Sequence, residues 1–270
     1  MNATSPSESQ SISTPSACLP DDGDDVRFCS ACAFSDACLS VGYGKPELSQ
    51  LHCLVEHVGP VRAGAYAFRM GDPFRAIYAV RSGMVKTLVI DADGREQVLG
   101  FHLPGEVVGL NGIYPDRFPC DAVALESTQF CRFSFPAMSA LATRLPALQQ
   151  HLFRLLSKEL GATAQLAADL SADERVAAFL LDLGDRYASR GFSGSQFRLS
   201  MPRGDIANYL RLAPETVSRV LGRLRSQGAI DIDGRMVALR DRAALHALAK
   251  GAMSDGSWRI DAAGACRHRN

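Results

Sequence analysis

The chain has 270 residues and the composition of an ordinary soluble protein, a length that suits two domains at roughly 100 to 200 residues each. Lys plus Arg and Asp plus Glu both total 29, so the net charge carries no signal for nucleic acid or for an acidic surface. There is no run of about 18 apolar residues to span a membrane. The Ser, Thr and Pro-rich N-terminus, followed by the acidic residues 21–25, lacks the basic and apolar regions of an export signal, so a cytoplasmic location is expected.

In chain order, residues 1–20 show no apolar periodicity and are expected to be a disordered tail. The segment 21–58 is cysteine-rich, with Cys29, Cys32 and Cys38 in the pattern C-x2-C-x5-C. Soft sulfur donors at such spacing suit zinc or an iron-sulfur cluster, and both need about four ligands. Cys53, Cys120 and Cys131 are the distant candidates for the fourth ligand, and Cys18 is the near one. A disulfide is disfavoured in a reducing compartment, and the second close pair usual for zinc is absent. Spacing alone leaves zinc and an iron-sulfur cluster both open. Residues 47–58 place Leu48, Leu51, Leu54, Val55 and Val58 on one helical face and predict a short helix. His52, Cys53 and His57 on it are read as ordinary surface or packed side chains.

Residues 59–145 change to short apolar runs cut by Gly59-Pro60, Gly64, Gly71-Asp72, Ser82-Gly83, Asp93-Gly94, Pro104-Gly105 and Asn111-Gly112. That spacing predicts a jelly-roll-like β domain, with Cys131 in its last strand and Cys120 in the irregular stretch before. Pro146 opens a helix expected to run over 146–170. Phe153, Leu156, Leu160, Thr163, Ala167 and Leu170 alternate at spacings of three and four, a coiled-coil seam that predicts a parallel homodimer. The competing reading is an amphipathic helix packed on its own domain.

Residues 171–250 predict a separate DNA-binding domain. Ser171 and Glu174 form a capping box for a helix through Val176, Phe179, Leu180 and Leu183. Two further helices, 205–210 and one opening at Pro214, flank the turn 211–213, a helix-turn-helix. On the second helix Val217, Val220, Leu221 and Leu224 face inward, while Glu215, Ser218, Arg219 and Arg223 share the other face. Arg, Glu and Ser are side chains that read base edges in the major groove. Between residues 198 and 225 there are six arginines against two acids, including Arg203 and Arg211, a local balance of +4 that suits phosphates. Residues 229–239 read as a hairpin, completing a winged helix-turn-helix. Residues 251–270 are expected to be a second disordered tail. No constellation of acid-base groups points to an enzyme.

Together these segments resemble the Crp-Fnr superfamily of bacterial transcription regulators, and within it the Fnr-type oxygen sensors. The likeness spans residues 29–250 and rests on the cysteine pattern, Gly100-Phe101-His102-Leu103-Pro104-Gly105, Gly191-Phe192-Ser193, Arg203-Gly204-Asp205-Ile206 and Glu215-Thr216-Val217-Ser218-Arg219. The resemblance implies an α+β protein: a cyclic-nucleotide-binding-like β-roll, a dimerisation helix and a winged helix-turn-helix. It implies an oxygen-labile 4Fe-4S cluster on Cys29, Cys32, Cys38 and Cys131, the last placed by Ala124-Leu125-Glu126-Ser127, with Cys120 as the fallback. It further implies a homodimeric activator of anaerobic genes that reads a TTGAT-type palindrome through Glu215, Ser218 and Arg219 and contacts RNA polymerase through loops near residues 91–96. The remaining alternative is a cluster-free regulator using thiol redox or structural zinc.

Three departures from the family pattern stand out. Arg211 occupies a turn position that is commonly glycine, where a left-handed backbone costs about 1 kcal/mol; a phosphate contact would offset that loss. Thr163 stands where relatives carry an aspartate, which implies looser control of pairing. Gly109-Leu110-Asn111 and Arg117-Phe118-Pro119 lack the Gly-Glu and Arg-Ser/Thr elements that hold a cyclic nucleotide, so none is expected.

Overall fold

The computed structural model describes residue 32, residues 38–39, residues 50–166 and residues 170–249. Cys29, Ala167 and both expected tails lie outside the described residues. The β domain contains β1 (Val55–Val61), β2 (Tyr66–Phe68), β3 (Ala76–Ser82), β4 (Val85–Ile90), β5 (Glu96–His102), β6 (Val107–Val108), β7 (Asp121–Ala124) and β8 (Thr128–Ser134). They form two four-stranded antiparallel sheets, ordered β1-β8-β3-β6 and β2-β7-β4-β5. β3 and β8 carry apolar side chains on both faces, because each face is covered over part of its length. Tyr78, Val80 and Phe130 point into the roll, whereas Ile77, Ala79, Cys131 and Phe133 face outward. The chain crosses between sheets at Gly83, with φ 85°, where an added Cβ would lie 2.5 Å from Thr128 Oγ1 and 2.6 Å from Ser127 O.

Residues 50–52 are helical, but Val55–Val61 is a strand, not the end of a helix. The spacing of Leu51, Leu54, Val55 and Val58 mimics a helical face, yet Val55 pairs with Phe133 and Val58 with Phe130 on β8. Long-range pairing of β-branched residues outweighs a short helical period. The β domain therefore begins before residue 59.

Two helices pack on the outer face of β3 and β8: α1 (Phe135–Ala142), which sequence patterning does not show, and α2 (Pro146–Leu166). Leu148, Leu152, Leu155 and Leu156 of α2 join Leu39, Leu51, Ile77, Phe133 and Met138 in one apolar cluster. The inner face of α2 is packed on its own domain, while Phe153 and Leu160 are 61% and 74% exposed.

The C-terminal part comprises α3 (Ala172–Ala188), β9 (Gln196–Arg198), α4 (Arg203–Leu210), α5 (Pro214–Ser226), β10 (Ile230–Asp233), β11 (Met236–Leu239) and α6 (Arg242–Leu248). The capping box is formed as expected: Ser171 N–H donates to Glu174 Oε2 at 2.8 Å, and Glu174 N–H donates to Ser171 Oγ at 3.3 Å. The strands form a sheet ordered β10-β11-β9 beside the two helices, the winged arrangement. Its core is continuous with the β domain, because Met84, Val98, Phe101 and Leu103 pack with Phe179, Leu180, Ile206 and Leu210.

Candidate DNA interface and cysteine site

α4 and α5 meet at a turn set by Arg211, whose φ 56° and ψ 44° are left-handed. Arg211 N–H donates to Asn208 O at 3.1 Å and Leu212 N–H to Ala207 O at 2.9 Å, the paired bonds of a Schellman C-cap. Glycine would fit that conformation without strain, so the arginine carries the backbone cost of a left-handed turn. Pro214 then starts α5, where its missing N–H costs nothing.

Val217, Val220, Leu221 and Leu224 bury one face of α5, and Glu215, Ser218, Arg219 and Arg223 are exposed on the other. The base-reading candidates thus lie together on one solvent-facing surface. Arg219 Nη2 donates to Thr216 Oγ1 at 3.3 Å, so Thr216 holds the guanidinium in place. The i, i+3 spacing of these two residues carries that contact in the sequence. Arg223 pairs with Asp173 of α3, a contact between residues 50 apart with no local sequence signal. Arg203 is half-buried, its Nη1 has no hydrogen-bond partner, and burial lowers its pKa.

The structure separates the cysteines. Cys131 lies in the central strand β8, opposite His57 of β1 and Ala79 of β3. Arg81 donates to His57 Nδ1 beside it. Burial pushes the Cys131 thiol up to about 11, with nearby Arg81 pulling it down and Cys32 raising it further. Cys38 and Cys131 pack against the same apolar cluster, which Leu152, Leu155 and Leu156 of α2 also border. Cys120 belongs to a different cluster inside the roll with Phe68, Val80, Phe118 and Phe130, where it accepts from Asn111 Nδ2 at 3.4 Å. Cys32, Cys38, Cys120 and Cys131 are not disulfide-bonded. Cys53 is disulfide-bonded and leaves the ligand candidates, because only a thiolate binds metal. Among the described residues no three ligating side chains are drawn together into a metal site. Cys29 lies outside that set.

Of the expected dimer seam, Phe153 and Leu160 are exposed, Leu156 is half-buried against its own domain and Leu170 is half-buried. The side chain of Thr163 and the whole of Ala167 lie outside the described residues. No described helix is long and apolar enough to cross a membrane.

Comparison with known proteins agrees with this architecture. Residues 59–144 match the cyclic nucleotide-binding domain and residues 174–248 the Crp-like helix-turn-helix domain. The transcriptional activator protein anr of Pseudomonas aeruginosa is 43% identical over 83% of this chain and 93% of its own. The fumarate and nitrate reduction regulatory protein of Salmonella typhi is 39% identical over 82% of this chain and 90% of its own. The structure of FixK2 from Bradyrhizobium japonicum superposes with a TM-score of 0.65 at 31% identity, covering 72% of this chain and 96% of that one. On its two domains, their order and these relatives, the chain belongs to the Crp-Fnr family of transcription regulators, proteins that bind DNA and are not enzymes.

Proposed function

We propose that this protein is an oxygen-responsive activator of anaerobic genes. In this reading Cys29, Cys32, Cys38 and Cys131 hold a 4Fe-4S cluster that governs pairing of two chains, and the pair binds a palindromic TTGAT-type site. The names of its relatives support the physiological setting: besides anr, they include the anaerobic regulatory proteins of Pasteurella multocida and Haemophilus influenzae. The donor chemistry fits, since four thiolates are the usual ligands of such a cluster and Cys32, Cys38 and Cys131 are not tied up in disulfides. Cys131 is favoured over Cys120 because it shares its apolar surroundings with Cys38.

One observation carries the reading. Cys38 and Cys131 pack against the apolar cluster that packs the inner face of α2, and the same helix exposes Phe153 and Leu160. When bound, the cluster supplies iron-thiolate bonds between the cysteine segment and β8, together with an oxygen-labile centre. Tying that segment to β8 presses Leu39 and its neighbours against Leu148, Leu152 and Leu155, which fixes how α2 presents Phe153 and Leu160 to a second chain. Release of the segment loosens that backing, and the exposed seam alone gives a weak pair. Pairing sets two copies of α5 about 34 Å apart, one DNA turn. Glu215, Ser218 and Arg219 then meet base edges, and Arg203, Arg211 and Arg223 meet phosphates.

RNA polymerase is the proposed partner of the bound dimer, through residues 91–96. That loop is exposed and firmly built, with Asp91 Oδ1 accepting from Asp93 N–H and Arg95 N–H, both at 2.9 Å. A DNA-binding regulator of this kind acts in the cytoplasm. No cyclic nucleotide enters the reading. Phe118 stacks on Phe68 at 3.8 Å inside the roll, and exposed Arg117 donates to Gly71 O at 2.7 Å.

The test compares operator binding by anoxically purified protein before and after exposure to air. Binding by brown protein that bleaches and releases DNA in air is the expected result. Air-stable binding by colourless protein would favour structural zinc, and loss restored by a thiol reductant without iron would favour a thiol switch.

A further inference from the structure

The DNA-reading unit is not hung from the long helix alone. α4 docks on β5, the edge strand of its sheet. Asn208 Oδ1 accepts from Val98 N–H at 2.7 Å, and Asn208 Nδ2 donates to Glu96 O at 2.6 Å. This side-chain amide pairs with the open strand edge as a neighbouring strand would. Gln97 Nε2 adds a bond to Asn208 O at 3.2 Å.

A second attachment is ionic. Lys86 Nζ of β4 lies 3.0 Å from Asp205 of α4 and 3.6 Å from Glu96, with 12% of its side chain exposed. The third lies at the far side of the contact, on α3. Glu106 accepts from Arg186 Nε at 2.9 Å and from Arg190 Nη2 at 2.8 Å. The same two arginines donate to the backbone of the β domain, Arg186 to Phe101 O and Arg190 to Pro104 O. Between these attachments Phe101, Phe179 and Tyr209 pack edge to face or tilted, with centroids 5.3 to 6.2 Å apart.

Attachments on two different helices, a paired polar and ionic set on α4 and a carboxylate-guanidinium set on α3, restrict how the unit can turn on the β domain. Interlocked rings and a carboxylate gripped by two guanidiniums resist sliding, because any shift leaves buried groups unpaired. In a two-fold dimer, the distance and rotational phase between the two copies of α5 then follow from how each β domain holds its own reading unit. We infer that Asn208, Lys86 and Glu106 are positioning residues that set the half-site spacing of the operator, separately from the residues that read its bases. This rests on the palindrome reading proposed above and adds what selects the spacing. Adding one base pair between half-sites moves one of them by about 3.4 Å and turns it by about 35°. That lies far outside the tolerance of a hydrogen bond, so a rigidly held pair of reading units rejects it.

The experiment measures binding of anoxically prepared full-length protein to operators with the preferred spacing, with one base pair more and with one base pair fewer. A fourth operator carries a single changed base in one half-site. The wild type is expected to lose at least about tenfold in affinity for either altered spacing. The paired substitutions Asn208→Ala and Lys86→Ala should compress that loss to about threefold or less, with the penalty for the changed base kept at the wild-type value. Glu106→Gln should do the same. Thermal melts accompany each variant, and the Asn208 and Lys86 pair decides the matter if Glu106→Gln is unfolded at the assay temperature. Folded variants that keep the wild-type spacing penalty overturn the inference alone. A wild type indifferent to spacing overturns it together with the palindrome reading.

Discussion

Replacing Arg211 by glycine separates two roles of one residue. Arg211 ends α4 at φ 56° and ψ 44°, a conformation that costs an L-residue about 1 to 2 kcal/mol and glycine almost nothing. Glycine also enlarges the freedom of the unfolded chain, which takes back about 0.4 to 1 kcal/mol. The net expectation is a gain of about 0.5 to 1 kcal/mol, or about 1 to 4 °C in Tm for a chain of this size. DNA binding should move the other way. The exposed guanidinium at the turn is assigned to a phosphate, so its loss lowers affinity and reduces the slope of log K against log salt by about 1. Arg211→Ala is the control: it keeps the strained Cβ and removes the charge, so it should share the DNA defect without the gain in Tm. Melting curves and salt titrations of the three proteins decide both points. A glycine variant that melts at or below the wild type refutes the backbone argument, and wild-type salt slopes in both variants refute the phosphate contact.

Leu160→Glu should leave anoxic protein monomeric in sedimentation while changing chain stability by no more than about 0.5 kcal/mol, since Leu160 is 74% exposed; a large loss of stability would place it in the core instead. Arg219→Ala should cost about 1 to 3 kcal/mol on the cognate operator and spare nonspecific binding, and an equal loss on all DNA would contradict base reading. Acid should destabilise the domain contact in two overlapping steps. Burial lowers His102 to about 4, with Glu106 opposing and Arg186 adding. Burial alone would raise the Glu106 carboxyl, but Arg186 and Arg190 override it and hold it at about 2. Both values lie below those of the unfolded chain, so both contributions are complete above about pH 6.5 and are lost as pH falls. His102 loses its share between 6.5 and about 4, and Glu106 loses its share, about 3 kcal/mol, between 4.5 and about 2. Urea unfolding across this range checks the order, and flat stability down to pH 4 would contradict it.

Features set by local chemistry were legible in the sequence. The Ser171–Glu174 box, Pro214 at the start of α5 and the unusual Arg211 turn depend on neighbours within a few residues, and all three appear in the structure. Strand β1 was not legible, because its pairing partners on β8 lie 67 to 78 residues away and its apolar spacing imitates a helix. α1 has no side-chain cap at Ser134, and α6 spans seven residues, too short for periodicity to separate from loop. The face of α5 proposed to read bases was visible because it is the polar side of one amphipathic helix. The grip of Asn208, Lys86 and Glu106 on the reading unit was not, since each joins elements that meet only after folding. The division of Cys120 from Cys131 likewise needed the two faces of β8 and the roll interior to be in place.

The central claim is that thiol ligands on the cysteine segment and on β8 decide whether two chains pair. Iron and acid-labile sulfide content, measured with sedimentation on the same anoxic samples of wild type, Cys131→Ser and Cys120→Ser, tests it most directly. The account predicts about four irons per chain and a dimer for the wild type and Cys120→Ser, with little iron and a monomer for Cys131→Ser. An iron-free wild-type dimer that still binds its operator would contradict it.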